Sequence, residues 1–247
     1  MTYLIFDMYG PLSAFGDIAM GDYRPTFPHP TKSAIIGLVA GCLGIDREEE
    51  SKLLELHNDL GIAILVFDTG TLLRDYHTIQ VPSSSKIKTM PIYTRKDELS
   101  GTNPATILSD RDYRMGAYYR LGIWSKKEKC DVNLLQNALS YPIYAPYLGR
   151  KACPTALPFH PKLIEADAIT HAMVSYPLNQ WLEQKIKGLP DDAKFALYID
   201  PQDETIPAGS DVVHKVKIRD RLRSRKHWQY REREEVMIYI GGKDVFQ

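Results

Sequence analysis

The sequence predicts an α+β fold, a ferredoxin-like (RRM-like) βαββαβ unit carrying an inserted excursion and followed by a smaller β-rich C-terminal region. Three observations carry this expectation. Short apolar or alternating strand patterns bracket two helix patterns in the first 158 residues. Periodicity is lost in the long interval from about Tyr76 to Tyr118 and returns as a strand. Strand patterns then recur between residues 159 and 247. The expected division is therefore 1–158 for the core unit with its insertion at about 76–118, and 159–247 for a region packed on it.

Each element has a local cause. In "TYLIFDMYG" Leu4, Phe6 and Met8 alternate with Tyr3, Ile5 and Asp7, and Gly10-Pro11 closes the strand as a turn. The loop "SAFGDIAMGDYRPTFPHP" brings Arg24 and His29 to "TKSAIIGLVAGCLG", a helix that Thr31 or Ser33 can cap and that stops at Gly44. Gly37, Ala40 and Gly41 give this helix a slim side suited to lying on a sheet. Its N-terminus exposes free N–H groups beside Lys32 and Arg24, an arrangement that favours an anion, although "PTKSA" is not a nucleotide-binding P-loop. Glu48, Glu49 and Glu50 of "DREEESKLLELHN" read as the solvated start of a second, acidic helix.

"GIAILVFD" and "TLLRDYHTIQV" are strands separated by Thr69-Gly70-Thr71, which predicts a hairpin between them. The excursion follows. Lys86, Lys88, Arg95, Lys96, Arg111 and Arg114 ride on it with Tyr93 and Tyr113, a mixture that suits phosphates and stacked bases but also ordinary solubility. Ala117 to Trp124 is a returning strand, and Asp131 can cap a helix over "VNLLQNALSY". The loop "YAPYLGRKACPTALPF" comes next, with prolines that stiffen it, aromatic rings at Tyr144 and Tyr147, and the cations Arg150 and Lys151.

In "VVHKVKIRDRLRSRK" Lys215, Lys217, Arg219, Arg221, Arg223 and Arg225 occupy every second position, so a strand would place them on one face opposite Val216, Ile218 and Leu222. Such a face serves either as a charged edge that prevents aggregation or as a docking surface for RNA or protein. "EEVMIYIGG" is the closing apolar strand.

Composition narrows the function classes. The 247 residues are 44% hydrophobic and 25% charged, and 31 Lys and Arg balance 31 Asp and Glu, so an anionic partner would be held by local patches rather than by net charge. There is no long uncharged apolar run and no signal-peptide pattern, which makes the cytoplasm the expected location and a membrane role unexpected. Cys42, Cys130 and Cys153 lack metal-ligand or redox spacing and read as packed thiols. Neither metal nor cofactor is expected. The histidines form no HExxH pattern, and no GxSxG or dinucleotide fingerprint occurs. One constellation has catalytic potential: Tyr76-His77 with Lys86 and Lys88 could deprotonate a 2′-hydroxyl and clamp the phosphate in metal-independent RNA cleavage. The alternative is a histidine that packs or hydrogen-bonds at the base of the excursion, since the sequence pattern reveals no carboxylate to orient it.

The ordered set "GPLSAFG", "YRPTFPHPTKSAIIGLVAGCLGI", "LRDYHT", "TILSDRDY", "YAPYLGRKACP" and terminal "GGKDVFQ" resembles the CasD subunit family of type I-E CRISPR Cascade, a branch of the RAMP superfamily. The resemblance runs from Met1 to Gln247. It implies a non-catalytic subunit that binds the 5′ handle of the CRISPR RNA (crRNA) in antiviral defence. Such a subunit caps the Cascade backbone, contacts the adjoining backbone subunit and the large PAM-reading subunit, and meets target DNA mostly indirectly near the PAM-proximal end. It also implies a palm with a projecting thumb, here the excursion.

Carried onto this sequence, the resemblance assigns Arg24, Thr31, Lys32 and Ser33 to handle phosphates, and His77, Arg111, Tyr113 and Arg114 to the thumb and its base. Tyr147, Gly149, Arg150 and Lys151 fall to another turn of the handle, with Gly149 letting the backbone approach RNA and with one of Tyr144 and Tyr147 expected to stack on a base while the other fills the core. Arg225 and Arg233 are the C-terminal candidates, although "RKHWQYRERE" places Trp228 and Tyr230 where the family pattern has Arg and Phe. In the related type I-C branch the corresponding subunit cuts precursor RNA with Tyr, Lys and His side chains, which makes Tyr76, His77 and Lys86 the residues of an endoribonuclease alternative.

Overall fold

The computed structural model describes residues 1–82, 92–99, 104–180, 183–184, 192–204, 206 and 212–241. Lys86 and Lys88, part of the cleavage constellation, lie outside the described residues, as does the terminal "GGKDVFQ" after its first glycine.

β1 (Thr2–Tyr9), β4 (Leu60–Asp68), β7 (Tyr118–Ser125), β8 (Lys162–Glu165), β9 (Lys194–Ile199), β10 (Val212–Ser224) and β11 (Gln229–Gly241) form one seven-stranded sheet in the order β10-β11-β9-β4-β7-β1-β8. Every neighbouring pair in it is antiparallel. The chain passes from β1 to β4 through α1 (Lys32–Cys42) and α2 (Glu50–Asp59), and from β7 to β8 through α4 (Val132–Ser140). α3 (Arg95–Leu99) lies in the excursion, and α5 (Ile169–Ser175) follows β8.

The period-2 pattern of β1 sorts its side chains between two cores. Leu4, Phe6 and Met8 join Ile35 and Val39 of α1, Leu53 and Leu56 of α2, and Leu135 and Leu139 of α4. Tyr3 and Ile5 face the opposite way, onto Ile169, Ala172 and Met173 of α5 with Phe195, Leu197, Val236 and Ile238. Helices on both faces explain why β4 and β7 are nearly continuous apolar runs. Thr31 caps α1 by accepting from Ala34 N at 3.3 Å, and Asp131 caps α4 by accepting from Asn133 N at 2.8 Å. Gly37 and Gly41, in contrast, meet open space, so neither is needed for close helix packing.

Arg120 on β7 is fully buried. Its Nε donates to Asp7 Oδ1 at 2.9 Å, Nη1 donates to the carbonyls of Met173 and Tyr176, and the guanidinium lies 4.6 Å from the Tyr176 ring centre. One buried cation thus ties the end of α5 to the middle of the sheet.

One sequence expectation is corrected here. β4 and β5 (Thr71–Val81) do not form a hairpin with each other: β4 pairs β7 and β9, while β5 pairs β6 (Ala105–Met115) along eleven matched positions from Thr71↔Met115 to Val81↔Ala105. β5 lacks the apolar face that a place in the buried sheet requires, and it is largely exposed. Gly70, at φ +67°, turns the chain out of the sheet beside Met115 and Ala117. Of the strands after residue 158, β8 adds to one edge of the large sheet, and β9, β11 and β10 extend it at the other.

Candidate nucleic-acid interface

The second sheet is built on β6, which pairs β5 along one side and, along the other, β2 (Leu12–Ser13) antiparallel and β3 (Tyr23–Arg24) in parallel. β5 and β6 form a largely exposed two-stranded arm, with Tyr76, Ile107 and Leu108 uncovered. Register assigns the side chains. Arg24 pairs Arg111, which pairs Asp75; the next row on the same face is Ser109 with His77, and on the other side Tyr113 with Leu73. The opposite face carries Tyr23, Asp110 and Tyr76 in one row and Asp112 with Arg74 in the next.

The loop from Tyr147 to Pro154 closes onto the first of these faces. Leu148 N donates to Cys153 O at 2.7 Å, Cys153 N to Arg150 O at 2.8 Å, and Tyr147 bridges Pro154. Leu148 and Cys153 point into the core, which leaves the cations outside. The Arg150 guanidinium lies 4.6 Å from the centre of the Tyr113 ring, while Nη1 donates to Asp112 O at 3.1 Å and Nη2 to Arg24 O at 3.2 Å. Lys151 is exposed and has no polar partner among the described residues. Arg24 is exposed and curls back, its Nη1 donating to Gly21 O at 2.6 Å, and the half-buried Arg111 reaches, among the described residues, Ser109 Oγ at 3.4 Å. Three arginines from β3, β6 and one loop therefore meet on one face, with the exposed Lys151 next to Arg150 in the chain and donors left over for an anion.

His77 shares this face. Its Nδ1 lies 2.7 Å from Asp75 Oδ2, so a carboxylate orienter is present after all. Asp75 and His77 are two apart on a strand, and that i, i+2 spacing is the signal the sequence reading missed. Tyr76 points to the other face, so Tyr76 and His77 cannot act together on one phosphate. On Tyr76's face Asp112 is the hub: Arg74 Nε donates to it at 2.9 Å and Tyr23 Oη also donates to it, which holds the Asp112 carboxyl below its usual range.

Other assignments change. Tyr113 is buried beneath Arg150, so its ring offers no surface for a base, and Arg114 lies on the far face with its Nε buried. Tyr144 and Tyr147 are both exposed, so neither fills the core. Gly149 does allow a close approach, but to the protein itself: at φ +86° a Cβ there would sit 1.9 Å from Ala14 O. Lys32 and Arg233 leave the interface altogether. Both are buried, Lys32 in an ion pair with Asp203 and Arg233 between Asp220 and Glu235 at 2.6 Å from each. The first turn of α1 is filled too, since Lys32 N donates to Asp220 Oδ2 at 2.7 Å while Thr31 and Ser33 share a hydroxyl hydrogen bond. An internal carboxylate occupies the place expected for a phosphate. Arg225 lies on the β10–β11 turn, away from β6, with its guanidinium 3.9 Å from the Trp228 ring centre.

The cysteines hold packed positions. Burial raises the Cys42 thiol to about 11, and burial with the nearby Asp59 raises Cys130 to about 12. No described helix is long and apolar enough to cross a membrane.

Comparison with known proteins agrees with this architecture. A family model described as CRISPR-associated protein (Cas_Cas5) matches residues 3–234. The chain belongs to the Cas5 family. Within this family it is 30% identical, over 184 residues, to the CRISPR system Cascade subunit CasD of Escherichia coli (strain K12), a match covering 71% of this chain and 77% of the relative. A chain of a solved CRISPR RNA-guided surveillance complex shares the fold with a TM-score of 0.65 at 22% identity, covering 97% of this chain and 89% of that one. A second solved structure, described as a Cas protein, superposes with a TM-score of 0.58 at 20% identity, covering 98% and 97%. This Cas5-family chain therefore combines the family's fold with a cation cluster where its small sheet meets the 147–154 loop.

Proposed function

We propose that the chain is a non-catalytic RNA-binding subunit of a type I-E Cascade. It holds the 5′ handle of the crRNA and caps the backbone between the adjoining backbone subunit and the large PAM-reading subunit, in the cytoplasm. The relative named as a Cascade subunit supports the assembly. The strand order β8-β1-β7-β4 with its two helical crossovers supports a ferredoxin-like palm, and the exposed β5–β6 arm supports the thumb. The observation that carries the reading is the meeting of Arg24, Arg111 and Arg150 on one face, with Lys151 exposed beside Arg150 in the loop. Such a cluster engages backbone phosphates and leaves sequence reading to guide pairing.

Arg111 and Lys151 are the residues to replace, because Arg150 also staples its loop to β6. In a salt titration with RNA carrying the 5′ part of a CRISPR repeat, Arg111→Ala with Lys151→Ala should reduce the slope of log K by about 1.4, at about 0.7 per phosphate. An unchanged slope overturns the assignment of this face.

The oriented Asp75–His77 pair favours one rival, a metal-independent endoribonuclease. Incubating the protein with repeat RNA in chelator separates the two: specific cleavage that disappears in His77→Ala and falls in Asp75→Asn would replace the scaffold reading.

A further inference from the structure

β10 carries a second basic surface that the handle site does not use. Lys217, Arg219, Arg221 and Arg223 are all exposed, while Ile218, Asp220 and Leu222 between them are buried, so the four cations share one face of an edge strand. Neutralisation is sparse. Glu234 stands opposite Lys217 and pairs with Lys215 at 2.8 Å, and Glu232 is exposed on β11, so the carboxylates gather at the start of the row; further along, Arg221 donates to the neutral amide of Gln202 at 3.1 Å, and Arg219 and Arg223 have no polar partner among the described residues.

Across the strand pair Arg221 stands directly opposite Arg231, which is also exposed. Like charges in direct register oppose folding. Guarding an edge against aggregation takes one or two charges and does not require this juxtaposition. An anion between the two arginines removes the repulsion.

The spacing and the end of the row indicate which anion. Alternate residues of a regular strand lie about 6.8 Å apart, on the scale of one extended nucleotide, and the row keeps its alternation of exposed and buried residues although its pairing with β11 shifts register between Ile218 and Arg221 and between Leu222 and Ser224. At the turn beyond the row Trp228 is exposed despite its size, held at φ +52° with Arg225 against its ring. A repeating cation row ending in an exposed indole, with Arg225 on one face of its ring, matches a phosphodiester chain with an unstacked base at one end. An acidic peptide would have no use for the indole.

We propose that the solvent face of β10, with Arg231 and Trp228, binds a single-stranded nucleic acid through its phosphates, as a site separate from the cluster on β6. Nothing in the row reads a 2′-hydroxyl, so RNA and DNA bind alike. The inference does not rest on the handle reading.

Anisotropy titrations of the full chain with labelled dodecauridylate across a salt series test it. Replacing Lys217, Arg219, Arg221 and Arg223 together by Gln should lower the salt slope by about 3, at about 0.7 for each phosphate no longer neutralised. Lys at the three arginine positions should preserve the slope, which separates charge from folding. Trp228→Ala should weaken binding at least about fivefold with the slope intact. Oligothymidylate of the same length should bind as the uridylate does. An unchanged slope in the Gln variant overturns the proposal, and so does an oligoglutamate of equal charge that competes as well as the oligonucleotide. Because the cluster on β6 also holds phosphates without reading sequence, the Arg111→Ala/Lys151→Ala variant is titrated alongside: a uridylate slope that falls in the β10 variant and stays in the β6 variant implicates β10, and the reverse overturns the proposal.

Discussion

Asp220 Oδ2 accepts the backbone N–H of Lys32 at 2.7 Å, across 188 residues of sequence. The same carboxylate receives Arg233 Nε on its other oxygen at 2.6 Å, and Arg233 in turn reaches Glu235, which lies 3.3 Å from His29 Nε2. The first turn of α1 is thereby locked to β10 and β11 by a buried charged network that also includes Lys32 with Asp203. Helix dipole and buried cation are neutralised by one residue type.

Removing Asp220 should therefore be costly. Asp220→Ala leaves Arg233 with one carboxylate instead of two and an amide without its acceptor, and we expect a loss of about 3 to 5 kcal/mol in denaturant unfolding. Asp220→Asn, which still accepts from Lys32 N, should lose less. Equal losses would show that the capping bond contributes nothing.

Arg120 and Asp7 should behave as a coupled pair. Arg120→Met strands a buried carboxylate and Asp7→Asn strands a buried guanidinium, so each alone should destabilise by several kcal/mol. The double variant should cost less than the sum by about 1 kcal/mol or more in a double-mutant cycle, whereas additivity would refute the coupling.

His57 sets an acid limit. Burial, with Lys32 nearby, lowers its folded pKa from 6.5 to about 4, and burial lowers that of His29 as well. Between those two values the unfolded chain binds more protons than the folded one, so stability falls as pH drops from about 6.5 to about 4, by an amount on the order of 3 kcal/mol for His57. Above about 6.5 both forms are neutral and the contribution is constant. His57→Gln should flatten the pH dependence of unfolding over this window, and an unaltered profile would contradict the assignment.

Two glycines should respond in opposite directions. Gly149→Ala places a methyl 1.9 Å from Ala14 O at φ +86°, which should cost more than about 2 kcal/mol and loosen the loop that carries Arg150 and Lys151. Gly37→Ala, in a helix and facing open space, should stabilise by about 0.5 to 1 kcal/mol. Thermal melts of the two variants give both signs.

What could be read from residue order was whatever depends on near neighbours. The two faces of β1, the caps Thr31 and Asp131, the exposed cations of β10 and the interrupted excursion all appear in the fold because period and capping act within a few residues. The Asp75–His77 pair belongs to the same class and was open to the same reasoning.

Partner choice was not legible. β5 follows β4 in the chain yet pairs with β6, because an exposed strand lacks the apolar face that membership of the buried sheet demands. Lys32 and Arg233 have the composition of phosphate ligands, but carboxylates far away in sequence claim them. Arg24, Arg111 and Arg150 become one site only when β3 lies parallel to β6 and the 147–154 loop folds onto them. A cation has the same local pattern whether it meets an internal carboxylate or solvent, and long-range packing separates the two outcomes.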